Sequence, residues 1–393
     1  MMNPYSTPEI EAIREVAREF TSRELMPLER DVQLREILRA ERNDPLVTGE
    51  ENQRLTATAR QQGLIGIDVP REYGGLGLTM LAKAVAIEEF NYSITPFRPA
   101  PESPNLFYLS SIASPSQREK YLQPYARGEK LSALALTEPD AGSDAGGIRT
   151  RAIRQNDAWI LNGTKLWISW ADTADFFIVI AVTDPAKGKR GGMTAFLVDH
   201  DAPGVLISAP ILTMGEQRPF ELRFEDVHLT DDSVLGEVGD AFRPLTNRLA
   251  VRRVDIGARC LGMSRRMIDM MCSYAQARTT FGTKLADKQA VQFMIADSEI
   301  DIQACRLLVY DTAARLDGGL TDIRLQASAV KVFATEMLTR TVDRAMQVHG
   351  AMGYSKELPI EYVYRNSRVL RILEGPSEIH RSQIAALRMK MTS

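Results

Sequence analysis

Between Leu131 and about Glu237 the chain stops repeating at a helical spacing. On either side, apolar residues recur three and four apart, as one face of a helix requires. Inside, "LSALALTEP", "DFFIVIAVTD", "MTAFLVD", "GVLIS" and "PFELRFEDVHL" are short β-like runs broken by Gly, Asn, Asp and Pro. No helix long enough for a crossover separates them, so a small antiparallel β-domain is expected. The flanks predict an all-helical region over 1–130 and a helical bundle over 239–393, with the β-domain at 131–238. Three long amphipathic stretches after Phe242, and a shorter one after Pro376, predict four bundle helices. The proline-rich "SITPFRPAPESPN" predicts a loop or a broken helix. The fold class is α+β and multidomain.

Composition excludes several functions. A net charge of −3 gives no pull toward nucleic acid or an anionic membrane. No run of about 18 apolar residues suggests a membrane span. Cys260, Cys272 and Cys305 lack metal-type spacing and read as reduced thiols. The four histidines form no ligand cluster, so no metal site is expected. The opening "MMNPYSTPEIEAIREVAREF" is acidic and reads as neither a secretory signal nor a transit peptide, so a cytoplasmic location is expected.

Three local patterns carry chemistry. In "LALTEPDAGSD", Thr137 and Ser143 offer hydroxyls, and Gly142 lets backbone approach an anion; the alternative is a polar turn. In "KLWISWA", alternation places Trp167 and Ser169 on one strand face, and Ile168 and Trp170 on the other. An indole beside a hydroxyl can cover a flat heteroaromatic ring; the alternative is a core Trp with a satisfied Ser. In "LRILEGPSEIHRSQIA", Glu374 ends an apolar run, Gly375 permits a tight turn, and Pro376 suits the first turn of a helix. Glu374 is then either a helix-terminal carboxylate favoured by the dipole or a base in an apolar site.

These residues, with "ARTTFGTKLADKQAVQF" and "MQVHGAMGYSKELPIEYVYRNSRVLRILEGPSEIHR", resemble the acyl-CoA dehydrogenases over nearly the whole chain. The resemblance implies FAD and removal of an α-proton and a β-hydride from an acyl-CoA, giving a trans-2-enoyl-CoA. It implies that Glu374 is the base, that flavin N5 takes the hydride, and that the Glu374 N–H holds the thioester oxygen. Leu136, Thr137, Ser143, Trp167, Ser169, Ser377 and Glu378 would contact the flavin. Arg278, Phe281, Gln289, Gln347 and Gly350 would grip the adenine half from a neighbouring subunit of a homotetramer. Ser143, Arg253, Gly375 and Arg98 would meet the substrate, and electron-transferring flavoprotein would accept the electrons.

Departures are visible. Isovaleryl-type members carry the base at the position of Arg252, and an arginine stays protonated, so Glu374 stands alone. Ala250 replaces a common Asp, Ala351 a Gly, Pro376 a Thr and Ser169 a Thr. A solvated helix face is the alternative for Arg252 and Arg253. Members similar to glutaryl-CoA dehydrogenase hold a substrate carboxylate with an arginine near Arg98. Alternatively, Arg98 faces water or is neutralised by Glu102. An acyl-CoA oxidase and a dicarboxylyl-CoA dehydrogenase are the rival activities within the resemblance; a flavin monooxygenase of similar fold, or a flavin-bound scaffold without turnover, is disfavoured by Glu374.

Overall fold

The structure is a computed structural model that describes residues 5–391 except 43, 100, 102 and 321. Glu102 therefore lies outside the described residues. Seven helices come first: α1 (Pro8–Phe20), α2 (Glu29–Arg42), α3 (Gly49–Gln61), α4 (Met80–Phe90), α5 (Ser103–Ile112), α6 (Pro115–Gln117) and α7 (Gln123–Ala126). Their starts follow local chemistry. Thr7, Thr48 and Thr79 accept a backbone N–H at the N-termini of α1, α3 and α4, and Glu51 closes a capping box on α3. The described residues between α4 and α5, 91–99 and 101, are non-helical, as Pro96, Pro99 and Pro101 require, while Ser103, Pro104 and Asn105 of the expected segment open α5.

Eight strands follow: β1 (Ser132–Ala135), β2 (Arg151–Gln155), β3 (Ala158–Ser169), β4 (Phe176–Val182), β5 (Met193–Asp199), β6 (Val205–Ile207), β7 (Pro219–Leu229) and β8 (Val234–Leu235). They form one sheet in the order β6-β7-β3-β2-β4-β5-β8, with β1 on β4. Most pairs are antiparallel, but β1 runs parallel to β4, and β2 touches β4 in parallel. The antiparallel expectation missed these because the β2–β3 hairpin, not a helix, makes the crossover. β4 reads as an unbroken apolar run because both its faces are covered. Phe176, Ile178 and Ile180 pack toward α5 and α7, while Phe177, Val179 and Ala181 pack toward β3 and β7.

The chain then returns to helix: α8 (Phe242–Ala277), a two-stranded ribbon of β9 (Thr279–Thr280) and β10 (Thr283–Lys284), α9 (Gln289–Asp317), α10 (Arg324–His349), α11 (Ala351–Tyr354), α12 (Ile360–Leu370) and α13 (Ser377–Lys390). The four expected bundle helices are present, and α11 and α12 are added between α10 and α13. One core joins the first and last regions: Phe20, Val85, Val254, Leu261 and Leu338 share it. The two helical regions thus hold α4 against α8, and Gly262 lets the backbones cross closely. A Cβ there would lie 2.1 Å from the Glu88 carbonyl oxygen. No helix among the described residues is long and apolar enough to cross a membrane.

Candidate active site

The turn between α12 and α13 carries the site. Ile372 and Leu373 both donate back to the Val369 carbonyl, closing α12. Glu374 and Gly375 then take consecutive left-handed conformations, at φ 55° and 92°. Glycine adopts this freely, but glutamate does not. Such a conformation costs about 1–3 kcal/mol and persists only where the surroundings impose it. Three buried side chains do so here. His380 Nε2 meets the Glu374 carbonyl oxygen at 3.1 Å, Arg253 Nε donates to the same oxygen at 3.4 Å, and Lys331 Nζ donates to the Gly375 oxygen at 2.6 Å. Pro376 occupies the N-cap of α13 rather than its first turn, with extended backbone. The Glu374 N–H donates to no acceptor among the described residues.

The Glu374 carboxylate faces α8. Arg248 donates to both its oxygens at 3.3 and 3.4 Å and is itself fixed by Asn105 at 3.0 Å. Arg252 Nε stands 4.0 Å from Oε1. Arg253 is buried, and one of its terminal nitrogens has no hydrogen-bond partner. Burial, and the nearby Arg248 charge, pull Arg253 below the ordinary arginine range, opposed by Glu374. Burial also pulls Lys331 down to about 8 and His380 to about 4, so His380 is neutral here at pH 7. The solvated-face alternative for Arg252 and Arg253 does not hold, since both side chains are largely buried.

Arg252 also lines a cleft between α4, the loop after it, α8 and α12. Ile87, Phe90, Ile94, Phe97, Met263 and Val363 give it an apolar wall. In the same lining, Glu216 bridges Arg98 at 3.0 Å and Arg259 at 2.7 Å. Burial would raise the Glu216 carboxyl, but the two guanidiniums outweigh it and hold it below the usual range. Arg98 therefore does not face open water. It lines the cleft, pairs with Glu216, and lies 5.2 Å over the Trp170 ring.

The sheet meets this region at the end of β3. Trp167 and Trp170 both have positive φ, 64° and 66°, and the β3–β7 register shifts between Lys165 and Ile168. This bulge breaks the simple alternation expected for "LWISW". It leaves both indoles about half exposed while Ile168 stays buried. Leu136, Thr137 and Ser169 are half-buried, and Ser143 is exposed. The Thr137 carbonyl accepts from Leu166 N–H at 2.7 Å, which ties the Thr137 loop to β3. Beneath them Lys165, fully buried, donates to Glu138 at 2.7 Å. Burial lowers that lysine to about 8, with Glu138 resisting.

Most of the chain matches one family in three consecutive pieces. Residues 7–129 match "Acyl-CoA dehydrogenase, N-terminal domain", 133–227 the middle domain and 240–388 the C-terminal domain. The chain belongs to the acyl-CoA dehydrogenase family. It is 46% identical over 379 residues to (R)-benzylsuccinyl-CoA dehydrogenase of Thauera aromatica, covering 95% of this chain and 93% of that one. The solved butyryl-CoA dehydrogenase of Megasphaera elsdenii superposes with a TM-score of 0.90 at 29% identity, covering 99% and 100% of the two chains. A glutaryl-CoA dehydrogenase bound to glutaryl-CoA superposes with a TM-score of 0.85 at 28% identity, covering 99% and 97%.

Within this acyl-CoA dehydrogenase fold, the remaining expected residues lie apart. Arg278, Phe281 and Gln289 sit at the turn from α8 to α9, and Gln347 and Gly350 at the end of α10, all exposed. Phe281 is 95% exposed. No hydrogen bond or ion pair among the described residues ties them to Thr137, Trp167 or Ser169. Ser377 is buried, whereas Glu378 is exposed. Sequence reasoning missed Arg248, Lys331, His380 and Glu216. Arg248 had a signal, since it lies one helical turn before Arg252 and so shares its face. Glu216 had none, because its partners are far away in the chain.

Proposed function

We propose that this acyl-CoA dehydrogenase-family oxidoreductase binds FAD and an acyl-CoA, and that Glu374 removes the substrate α-proton. The observation that carries the reading is the pairing of Glu374, on its imposed left-handed turn, with a cleft that Arg252 connects to it. An α-C–H is weakly acidic, so the step needs a positioned acceptor and donors for charge on the thioester oxygen. The unengaged Glu374 N–H is such a donor. Arg253, Lys331 and His380 hold the Glu374–Gly375 turn so that carboxylate and N–H keep one relation. Burying the apolar wall of the cleft excludes water from the reacting carbons.

The residues present fit a flavin. Trp167 is an exposed indole on a bulge beside Ser169, with Leu136 and Thr137 adjacent, a flat apolar platform with polar edges. When bound, the flavin supplies the two-electron acceptor that side chains lack. Exposed Arg278, Phe281, Gln289, Gln347 and Gly350 would serve the adenine half of a neighbouring protomer's FAD, which supports a homotetramer. Ser143, Gly375, Ser377 and Glu378 complete the proposed contacts. Regions 1–130, 131–238 and 239–393 would be the three domains, in a cytoplasmic enzyme that hands electrons to electron-transferring flavoprotein. Two relatives are named for dicarboxylic acyl units, benzylsuccinyl and glutaryl, and the arginine-lined cleft favours that class over a plain alkyl chain.

Glu374→Gln tests the core of this. The variant is expected to keep flavin and fold while losing roughly 10²–10⁴-fold in anaerobic flavin bleaching by acyl-CoA. Near-normal bleaching refutes the assignment. Oxygen uptake by the bleached wild type on admitting air would indicate the oxidase instead.

A further inference from the structure

We propose that Lys165 is a positioning residue for the flavin. Its buried ammonium holds the Leu136–Thr137 peptide so that the Thr137 N–H faces away as a polarised donor, and this raises the reduction potential of the bound flavin. The inference rests on the reading that the chain binds FAD beside Thr137 and Trp167. Lys165 stands on β3, where alternation alone would give it the same face as Trp167 and Ser169. The bulge between Lys165 and Ile168 separates them: Lys165 is fully buried, while Trp167 is 53% exposed. One strand thus sends a cation into the fold and turns an indole out of it.

The ammonium has two partners. Nζ donates to the Leu136 carbonyl oxygen at 2.9 Å and to Glu138 Oε1 at 2.7 Å. Glu138 in turn accepts the N–H groups of Arg149 at 2.6 Å and Thr150 at 3.0 Å. Burial would raise the Glu138 carboxyl, but Lys165 and those two bonds outweigh it and hold it below the usual range, so the pair is ionised at pH 7. The following peptides are fixed as well. The Thr137 oxygen accepts from Leu166 N–H at 2.7 Å, and Glu138 and Ala141 exchange backbone bonds at 3.1 and 3.2 Å. In a trans peptide the C=O and the following N–H point in opposite directions. With the Leu136 oxygen held on the buried ammonium, the Thr137 N–H points away from it, and it donates to no acceptor among the described residues. An ammonium on the carbonyl end polarises the peptide and strengthens the N–H at the other end. Two-electron reduction adds negative charge to a flavin ring, so such a donor favours the reduced form over the oxidised one. Stability alone does not account for the arrangement, because a buried ion pair can often be replaced by apolar residues of similar volume without loss.

The test uses the flavin-loaded enzyme, Lys165→Met, and the double variant Lys165→Met/Glu138→Gln, which leaves no unpaired charge of this pair behind. Losing a hydrogen bond from a charged group corresponds to roughly tenfold or more in affinity. Both variants are expected to release oxidised flavin on dilution at about tenfold higher protein concentration than wild type. The loss should be about tenfold greater again for reduced flavin. That is a fall of about 30 mV in the two-electron midpoint, read against a dye of known potential. An unchanged midpoint in the double variant, whatever its flavin affinity, means that Lys165 only closes the loop, and the inference is wrong. A wild type that takes up no flavin overturns the FAD reading itself. Should neither variant fold or hold flavin, amide exchange in the wild type decides. Flavin is expected to slow exchange at Thr137, and exchange there that flavin leaves unchanged refutes the donor.

Discussion

Replacing Glu216 by Gln isolates a single buried charge. The loop around Glu216 keeps its other anchors in that variant. The Glu216 N–H donates to Asn366 at 2.6 Å, and Arg39 holds the carbonyls of Gly215 and Gln217. Only the negative charge is lost, and it faces two guanidiniums that are 18% and 8% exposed. Removing one partner of a buried ion pair costs about 3–5 kcal/mol. The amide oxygen still accepts one hydrogen bond, so the lower end, about 3 kcal/mol, is expected. The pH dependence follows from the depressed carboxyl of Glu216. A carboxyl depressed in the fold contributes stability that is present above its unfolded value, about 4.3, and lost as pH falls through the folded one. The gap between wild type and Glu216→Gln should therefore be full at pH 7 and should shrink below about pH 4. Urea unfolding followed by tryptophan fluorescence measures it, at matched protein and flavin concentrations, since binding and assembly shift apparent stability. A difference under about 0.5 kcal/mol at pH 7, or one that does not change on acidification, refutes the bridge as a stabilising element.

Two further outcomes follow from packing and titration. Burial, with Arg253 and Lys331 adding to it, lowers His380 from 6.5 to about 4. Unfolding then takes up a proton between those values, so stability falls as pH drops from 6.5 toward 4. His380→Gln should remove about 2 kcal/mol of the loss between pH 7 and pH 5; equal slopes for both proteins would contradict this. Gly262→Ala would force a Cβ to 2.1 Å from the Glu88 oxygen and 2.8 Å from the Asn91 carbonyl carbon, costing about 3 kcal/mol by urea midpoint. Gly49→Ala, with nothing within 4 Å, is the near-neutral control.

The order of helical, β and helical regions was legible because burial writes different periods into the chain. β4 shows how far this goes: an apolar run with both faces covered is a local signal. The parallel register of β1 on β4 was not legible, since direction is set by the crossover and leaves no mark on four residues. The bulge at Trp167 was hidden for a similar reason, because its left-handed φ belongs to the pairing with β7. At the candidate site, Glu374 and Gly375 carried a local signature of a turn between apolar run and helix. The surroundings did not. Arg252 could be excluded as a base from its chemistry alone, yet which way it faces depends on how α8 is phased against α4 and α12. The sequence leaves Arg98 with water, a substrate or Glu102 as its partner, while here it pairs with Glu216, deep inside the β-domain sequence in the loop before β7.

The handedness of the backbone at Glu374 bears on how such a chain ages when its chemistry is no longer needed. The side chain that the reaction calls for sits where the backbone prefers none. Glu374→Gly would relieve that tension while leaving the carbonyl contacts from His380, Arg253 and Lys331 available. A glutamate codon becomes a glycine codon by one nucleotide change. That change would also strip buried Arg248, with Arg252 and Arg253 beside it, of the carboxylate they face, at about 3–5 kcal/mol, more than the turn strain returns. A duplicated copy released from selection would therefore keep this glutamate longer than the handedness of its backbone alone would suggest, because three arginines have come to depend on its charge.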